Sequence, residues 1–186
     1  MYRRHFLATL ATAPVLFAIR HALGAAMNPA TSPDVAALQR NWQRLLAPGS
    51  DVAALGSTLS LSNDEWRKKL TPDQYRVLRE EGTEYPGSSP LNDEHRQGVF
   101  ICAGCALPLF TSAMKFDSGT GWPSFFTTIP GAFAQKVDHK LIVARDEYHC
   151  SRCGGHHGHV FDDGPPPTHQ RWCNNGVALR FIPKSA

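Results

Sequence analysis

Two cysteine pairs constrain this chain more than any other feature. Cys102-Ala-Gly-Cys105 and Cys150-Ser-Arg-Cys153 each put two thiols on one tight turn, far apart in the sequence. A Zn²⁺ ion takes four soft ligands in a tetrahedron, and a Cys-x-x-Cys turn supplies two of them from adjacent peptide units. Gly104 and the Gly154-Gly155 pair leave room for backbone amides around the sulfurs. The spacing points to a closed four-cysteine zinc site at Cys102, Cys105, Cys150 and Cys153, one structural ion that holds the fold and does no chemistry. Two disulfides, or one redox-active pair, are the readings that spacing leaves open.

Five cysteines leave one over. Cys173 lies in Arg171-Trp-Cys-Asn-Asn175, and a lone thiol beside arginine and histidines is a candidate nucleophile. Taken alone it reads equally as a small buried core residue. Its company argues for chemistry. His156-His157-Gly158-His159 and Asp162-Asp163 follow the second cysteine pair, and the Gly-rich loop from Phe116 to Phe125 offers the indole of Trp122.

The chain opens with Arg3-Arg4 before an apolar run, Leu7 to Ile19, and small residues at Ala22-Leu23-Gly24-Ala25-Ala26. That order predicts an export signal over residues 1–25, too short to anchor in a bilayer and similar to twin-arginine signals, with the periplasm as destination. A protein exported folded would load zinc before meeting an oxidant. The formal charge of +3 misleads, because Arg3, Arg4 and Arg20 lie in the signal; without them the basic and acidic residues balance at 16 each. Nucleic acid is thereby dropped as a partner.

Residues 26–61 read as a linker with a short helix from an Asp34 cap to Leu46, a mobile or docking segment without chemistry. From residue 62 to 184 the pattern is that of one domain. Ser62 and Thr71-Pro72 start two helices, the second stopped by Gly82. Short apolar runs follow at Gly98–Cys102, Leu107–Phe110, Phe125–Ile129, Lys140–Ala144, Glu147–His149, Gly158–Phe161 and Val177–Ile182, between Gly and Pro punctuation. The expected fold is mainly β, a small antiparallel body with short N-terminal helices.

From residue 62 to Pro183 the chain resembles the B-type methionine sulfoxide reductases. The resemblance is carried by the two Cys-x-x-Cys pairs, Lys115-Phe-Asp-Ser-Gly-x-Gly-Trp-Pro-Ser-Phe125, His156-x-Gly-His-Val-Phe161, Asp163-Gly-Pro165 and Arg171-x-Cys-x-Asn175 in order. It implies a barrel-like β-tent of two sheets with structural zinc. It also implies thiol-dependent reduction of methionine R-sulfoxide, protein-bound by preference. Cys173 becomes the nucleophile, left as sulfenic acid, with Arg171 favouring its thiolate. His156 and His159 become the substrate-site histidines, His159 the acid. Asp163 is expected to orient His159, Asn175 to donate to the site, and Trp122 to pack on the S-methyl group. The expected partners are oxidised proteins and an external thiol reductant, thioredoxin-like or small, acting on a monomer. A non-catalytic zinc module binding methionine or its oxide, and a thiol-disulfide oxidoreductase using Cys150 and Cys153, are the rivals.

Several positions depart from the family pattern. Thr120 stands where many members carry a resolving cysteine, which implies a one-cysteine cycle. His157 replaces an apolar residue and His169 a Gly, each expected to shift the local proton balance. Gly176 replaces a common Ser, and Ser89 a frequent Gly.

Overall fold

Polar caps start the helices where the sequence puts them. The computed structural model describes residues 33–138 and 145–185; the expected signal, the start of the linker and the strand expected over Lys140–Ala144 lie outside the described residues. Helix α1 (Val35–Arg40) begins where the Asp34 carboxylate accepts the Ala37 N–H at 3.0 Å. The single helix expected through Leu46 is in fact two pieces, since the chain leaves α1 at Asn41 and resumes as a 3-10 turn over Trp42–Leu45. Helices α2 (Asn63–Lys69) and α3 (Pro72–Glu80) each start with a capping box, Ser62 with Glu65 and Thr71 with Gln74. The stop of α3 falls one residue before Gly82: Glu81 itself takes the left-handed conformation, φ 55.

Nine strands form two antiparallel sheets among the described residues. In the smaller, β1 (Gly98–Cys102) runs between β2 (Pro108–Thr111) and β9 (Leu179–Pro183). In the larger the order is β3 (Lys115–Phe116), β4 (Ser124–Phe125), β8 (Arg171–Asn174), β7 (His156–Phe161), β6 (Arg145–Cys150) and β5 (Phe133–Asp138). Every residue of β1 is buried, so it reads as one apolar run rather than an alternation. Rings bridge the two sheets. Phe110 stacks on Phe125 with centroids 3.9 Å apart, Phe100 meets Phe125 edge-on at 5.1 Å, and Phe110 approaches Phe133 at 5.2 Å. Such pairs add about 0.5–1.5 kcal/mol each beyond the area they bury.

The segment expected to be a mobile or docking linker is, from residue 33 on, a packed strap. Trp42 is buried, and Leu38, Leu45, Leu46, Val52 and Leu59 lie against the core. The Ala53 N–H donates to the Ala106 carbonyl at 2.9 Å and the Leu59 N–H to the Arg152 carbonyl at 2.8 Å, so the strap bonds both cysteine turns. Leu38, Trp42 and Leu45 of the expected helix face pack from α1 and the 3-10 turn, while Val52 and Leu59 reach the core from chain outside any helix or strand.

The two unusual residues, Ser89 and Gly176, explain each other. A Cβ added at Gly176 would run into the Ser89 hydroxyl and Cβ, in a place where Ser89 is already buried. One side chain fits there, and this chain supplies it from the other side. Gly176→Ser alone is therefore expected to destabilise the fold by about 1–3 kcal/mol through overpacking. The double variant Ser89→Gly/Gly176→Ser should recover most of that loss in denaturant unfolding. Additive losses would show that the two positions do not share the space.

Candidate active site

The four cysteines of the two turns converge. Their sulfurs all lie within 4.8 Å of one another, with Cys102 Sγ 3.8 Å from Cys153 Sγ and Cys105 Sγ 3.4 Å from Cys150 Sγ. Four thiolates at about 2.3 Å from one zinc ion would stand about 3.8 Å apart, so the donor set fits the ion. Both of these pairs cross between the turns, and all four cysteines are free thiols. Both turns share one backbone design. Ala106 N–H donates to the Cys102 carbonyl as Gly154 N–H does to Cys150, and Cys102 N–H donates to Leu107 as Cys150 N–H does to Gly155. Ala106 and Gly154 both sit at positive φ, 60 and 67, which only the glycine adopts without penalty. Arg152 Nη1 donates to the Cys105 carbonyl at 2.7 Å and Arg79 Nη1 to the Cys153 carbonyl at 2.8 Å, tying the turns to each other and to α3. The set is buried, so bound zinc would hold the fold and meet no substrate.

Strand register, rather than sequence proximity, assembles the second site. Glu147 on β6 faces His159 on β7, His159 faces Cys173 on β8, and Cys173 faces Ser124 on β4. Directly opposite side chains in such a row stand about 4.5–5.5 Å apart at Cβ. Gly158 is needed for that approach, because a Cβ there would strike the Cys173 carbonyl oxygen. The Tyr148 hydroxyl, buried under the sheet, shares its hydrogen between the Cys173 carbonyl and the Asn174 side chain, each at 3.0 Å.

Cys173 opens into a cavity of about 130 Å³ lined by Thr83, Trp122, His159, Phe161 and Asn175 among others. That is well below the roughly 300–1,000 Å³ of drug-sized sites, and suits the end of one side chain. Burial pushes the Cys173 thiol above its ordinary value near 9, against the pull of Arg171 and of the Thr120 hydroxyl that bonds the sulfur. The Trp122 indole N–H donates to the Glu84 carbonyl at 3.2 Å, which fixes the ring as one wall. Glu84 also anchors the far wall: its carboxylate accepts the N–H groups of Gly176 and Val177 at 2.7 and 2.8 Å, and its own N–H donates to Asn175 Oδ1 at 2.9 Å.

The remaining expected residues divide. His159 and Asn175 line the cavity. One Asn175 amide hydrogen is held by the His157 carbonyl at 2.9 Å. Asp163 does not orient His159; it forks onto Arg171, Nε to Oδ1 at 2.7 Å and Nη2 to Oδ2 at 2.9 Å, while the guanidinium lies 4.3 Å from the Phe161 ring centre. Asp163 therefore acts on Cys173 through Arg171. His156 does not line the cavity. Its Nδ1 is 2.5 Å from Glu147 Oε1, its ring is 5.6 Å from that of His159, and burial lowers it to about 4. His157, expected to affect the proton balance, points into the core beside Phe133 and Tyr148, where burial lowers it to about 3 and keeps it neutral. His169 is exposed at φ 59, the left-handed position that explains a Gly there. Sequence reasoning missed Glu84, Tyr148 and Glu147. Glu84 had no local pattern to betray it; Glu147 and His149, two apart on a strand, were a same-face signal that could have been read.

Two outcomes follow from this geometry. Chelation of the zinc-loaded chain is expected to release one ion and collapse its cooperative unfolding transition, followed by metal analysis and circular dichroism; an unchanged transition would refute the structural role. Because burial raises the Cys173 thiol, its alkylation by iodoacetamide should climb with pH to a midpoint above 9. Arg171→Leu removes a group that favours the thiolate, so the midpoint should move further up. A shift downward would mean that Arg171 does not act on this sulfur.

The SelR domain model matches residues 70–183. A peptide methionine sulfoxide reductase MsrB of Agrobacterium fabrum is 49% identical over 123 residues, covering 66% of this chain and 91% of that protein. One from Methanosarcina barkeri is 51% identical over 121 residues, 64% of this chain and 85% of the relative. The chloroplastic peptide methionine sulfoxide reductase B2 of Arabidopsis thaliana is 44% identical over 143 residues, 74% and 70% of the two chains. The family match takes in both cysteine turns and the strand row around Cys173. This chain belongs to the SelR domain family and is an oxidoreductase of the MsrB kind.

Proposed function

We propose that this protein reduces the R-sulfoxide of methionine, preferentially within proteins, and repairs oxidised proteins of the periplasm. The observation that carries the reading is the small cavity in which the Cys173 sulfur, the Trp122 indole and the His159 imidazole meet. A thiolate at Cys173 attacks the sulfoxide sulfur while His159 protonates the oxygen, a leaving group only once it carries a proton. The oxygen passes to Cys173: methionine sulfur gains two electrons, the cysteine sulfur loses two, and sulfenic acid remains. The Trp122 face excludes water and admits a methyl group, which favours one configuration at sulfur. His156, neutral and turned to Glu147, leaves the proton transfer to His159.

Regeneration then needs two external thiols, which leave as a disulfide with one water. Thr120 bonds the Cys173 sulfur from the position where a resolving thiol would stand, and the other four cysteines form the buried cluster. A polypeptide substrate is favoured by the surface beyond the Thr83–Tyr85 segment. There a groove of about 800 Å³ runs from Glu84 and Tyr85 to Arg180 and Phe181, with Tyr85 83% exposed. Export rests on the arginine pair and apolar run of residues 1–25 alone.

A single-turnover assay on the zinc-loaded chain without reductant, with each sulfoxide diastereomer of a peptide, tests this. About one methionine per chain from the R form only, sulfenic acid on Cys173, and no product from Cys173→Ser are expected. Product accompanied by a disulfide and released zinc would overturn the one-cysteine cycle. Absence of product from both forms, with zinc retained, would overturn the reductase itself and favour a binding module.

A further inference from the structure

Glu147, at the end of the row that carries Cys173, also belongs to a group of side chains outside the Cys173 cavity. Glu147 and His149 point to one face of β6, being two residues apart, and His156 sits opposite His149 across the β6–β7 pair. One donor atom from each lies within 4.8 Å of the others. Glu147 Oε1 is 3.1 Å from His149 Nε2 and 2.5 Å from His156 Nδ1. Glu147 and His156 are 1% and 2% exposed, and these donor atoms are buried without a hydrogen bond of ordinary geometry.

The tautomer of His149 sharpens the point. Its Nδ1 faces the Gly154 carbonyl oxygen at 3.2 Å, and a carbonyl only accepts, so Nδ1 is the donor in that contact. The other ring nitrogen, Nε2, faces Glu147 Oε1, so that a proton or a metal ion can lie between them. Lys136 supplies charge to the other oxygen, with Nζ 3.3 Å from Glu147 Oε2 and 2.7 Å from Glu81 Oε1. Oε1 and the two imidazoles remain.

We propose that Glu147, His149 and His156 bind a divalent first-row transition ion, at a second metal site separate from the four cysteines. Two imidazoles and one carboxylate suit Zn²⁺, Co²⁺, Ni²⁺ or Cu²⁺ rather than Mg²⁺ or Ca²⁺, which prefer all-oxygen sets. Ligands about 2.0–2.2 Å from the ion stand about 3 Å or slightly more from each other. His149 and Glu147 already do, and His156 must open by roughly half an ångström from Glu147. The Gly154 carbonyl holds the His149 ring in the way metal-bound imidazoles are usually held. Three protein ligands leave a position for water.

The test is a Co²⁺ titration of the full chain carrying its structural zinc, with Cys173 alkylated beforehand so that its thiol cannot bind metal. One further equivalent of Co²⁺ is expected, with weak visible bands, no intense sulfur-to-cobalt band in the near ultraviolet, and zinc retained. His149→Leu, at a partly exposed position, should weaken that binding by about tenfold or more while zinc content and unfolding midpoint hold; Glu147→Gln should do the same. Failure to take up the extra equivalent would show that protons alone satisfy the cluster, and overturn the site. Equal binding by wild type and His149→Leu, or cobalt appearing in place of zinc, would overturn it as well.

Discussion

Four thiols drawn to one point are the constraint on which the rest of this molecule depends. The two turns that carry them are otherwise unrelated in sequence, Ala-Gly in one and Ser-Arg in the other, yet their backbones close with the same pair of hydrogen bonds. Each turn sits at the end of a strand, β1 in the small sheet and β6 in the large one. Joining the turns therefore joins the sheets. The strap before α2 then bonds to both turns, and Arg79 from α3 reaches one of them. A body of this size with short strands has few other means of fixing two sheets at one end, and structural metal sites contribute folding free energy directly.

The Cys173 site is built by register. His159 meets Cys173 because β7 and β8 pair antiparallel with those residues opposite, and a slip of one residue would turn both away from the cavity. The neighbours of the row hold its ends: Tyr148 fixes the Cys173 backbone, and Glu84 ties Trp122, Asn175 and the start of the turn after it. None of these touches the sulfur. They place the groups that do, which is how a half-buried thiol, its arginine and a neutral core can coexist within one thin layer.

The chemical residues were legible because chemistry leaves type and spacing behind. The cysteine pairs meet in one buried cluster, and Cys173, Trp122 and His159, each singled out in the sequence, line one cavity. The roles that failed were those that depend on direction. Asp163 lies within reach of several cations in sequence terms, and only the fold shows that it clasps Arg171. His156 and His157 are adjacent, so on a strand they face opposite ways; one meets Glu147 and the other enters the aromatic core. Strands β3, β5 and β8 were missed because β3 is only two residues long, β5 is largely polar, and β8 is the Arg171–Asn174 segment read for chemistry rather than for a strand. The strap was misjudged because its apolar residues bury against a surface that does not exist until the turns have met.

By itself the sequence determined the zinc donors, the candidate nucleophile, the capped helices and the mainly β character, since each rests on local spacing or on residue type. Tertiary structure alone decided which acid serves which cation, which histidine faces the cavity, and that Ser89 fills the space Gly176 leaves. The physical reason is the same in every case. Ligand type, capping and alternation are properties of neighbouring residues along the chain, whereas ion pairing, burial and shared volume belong to residues that only strand pairing and sheet closure bring together.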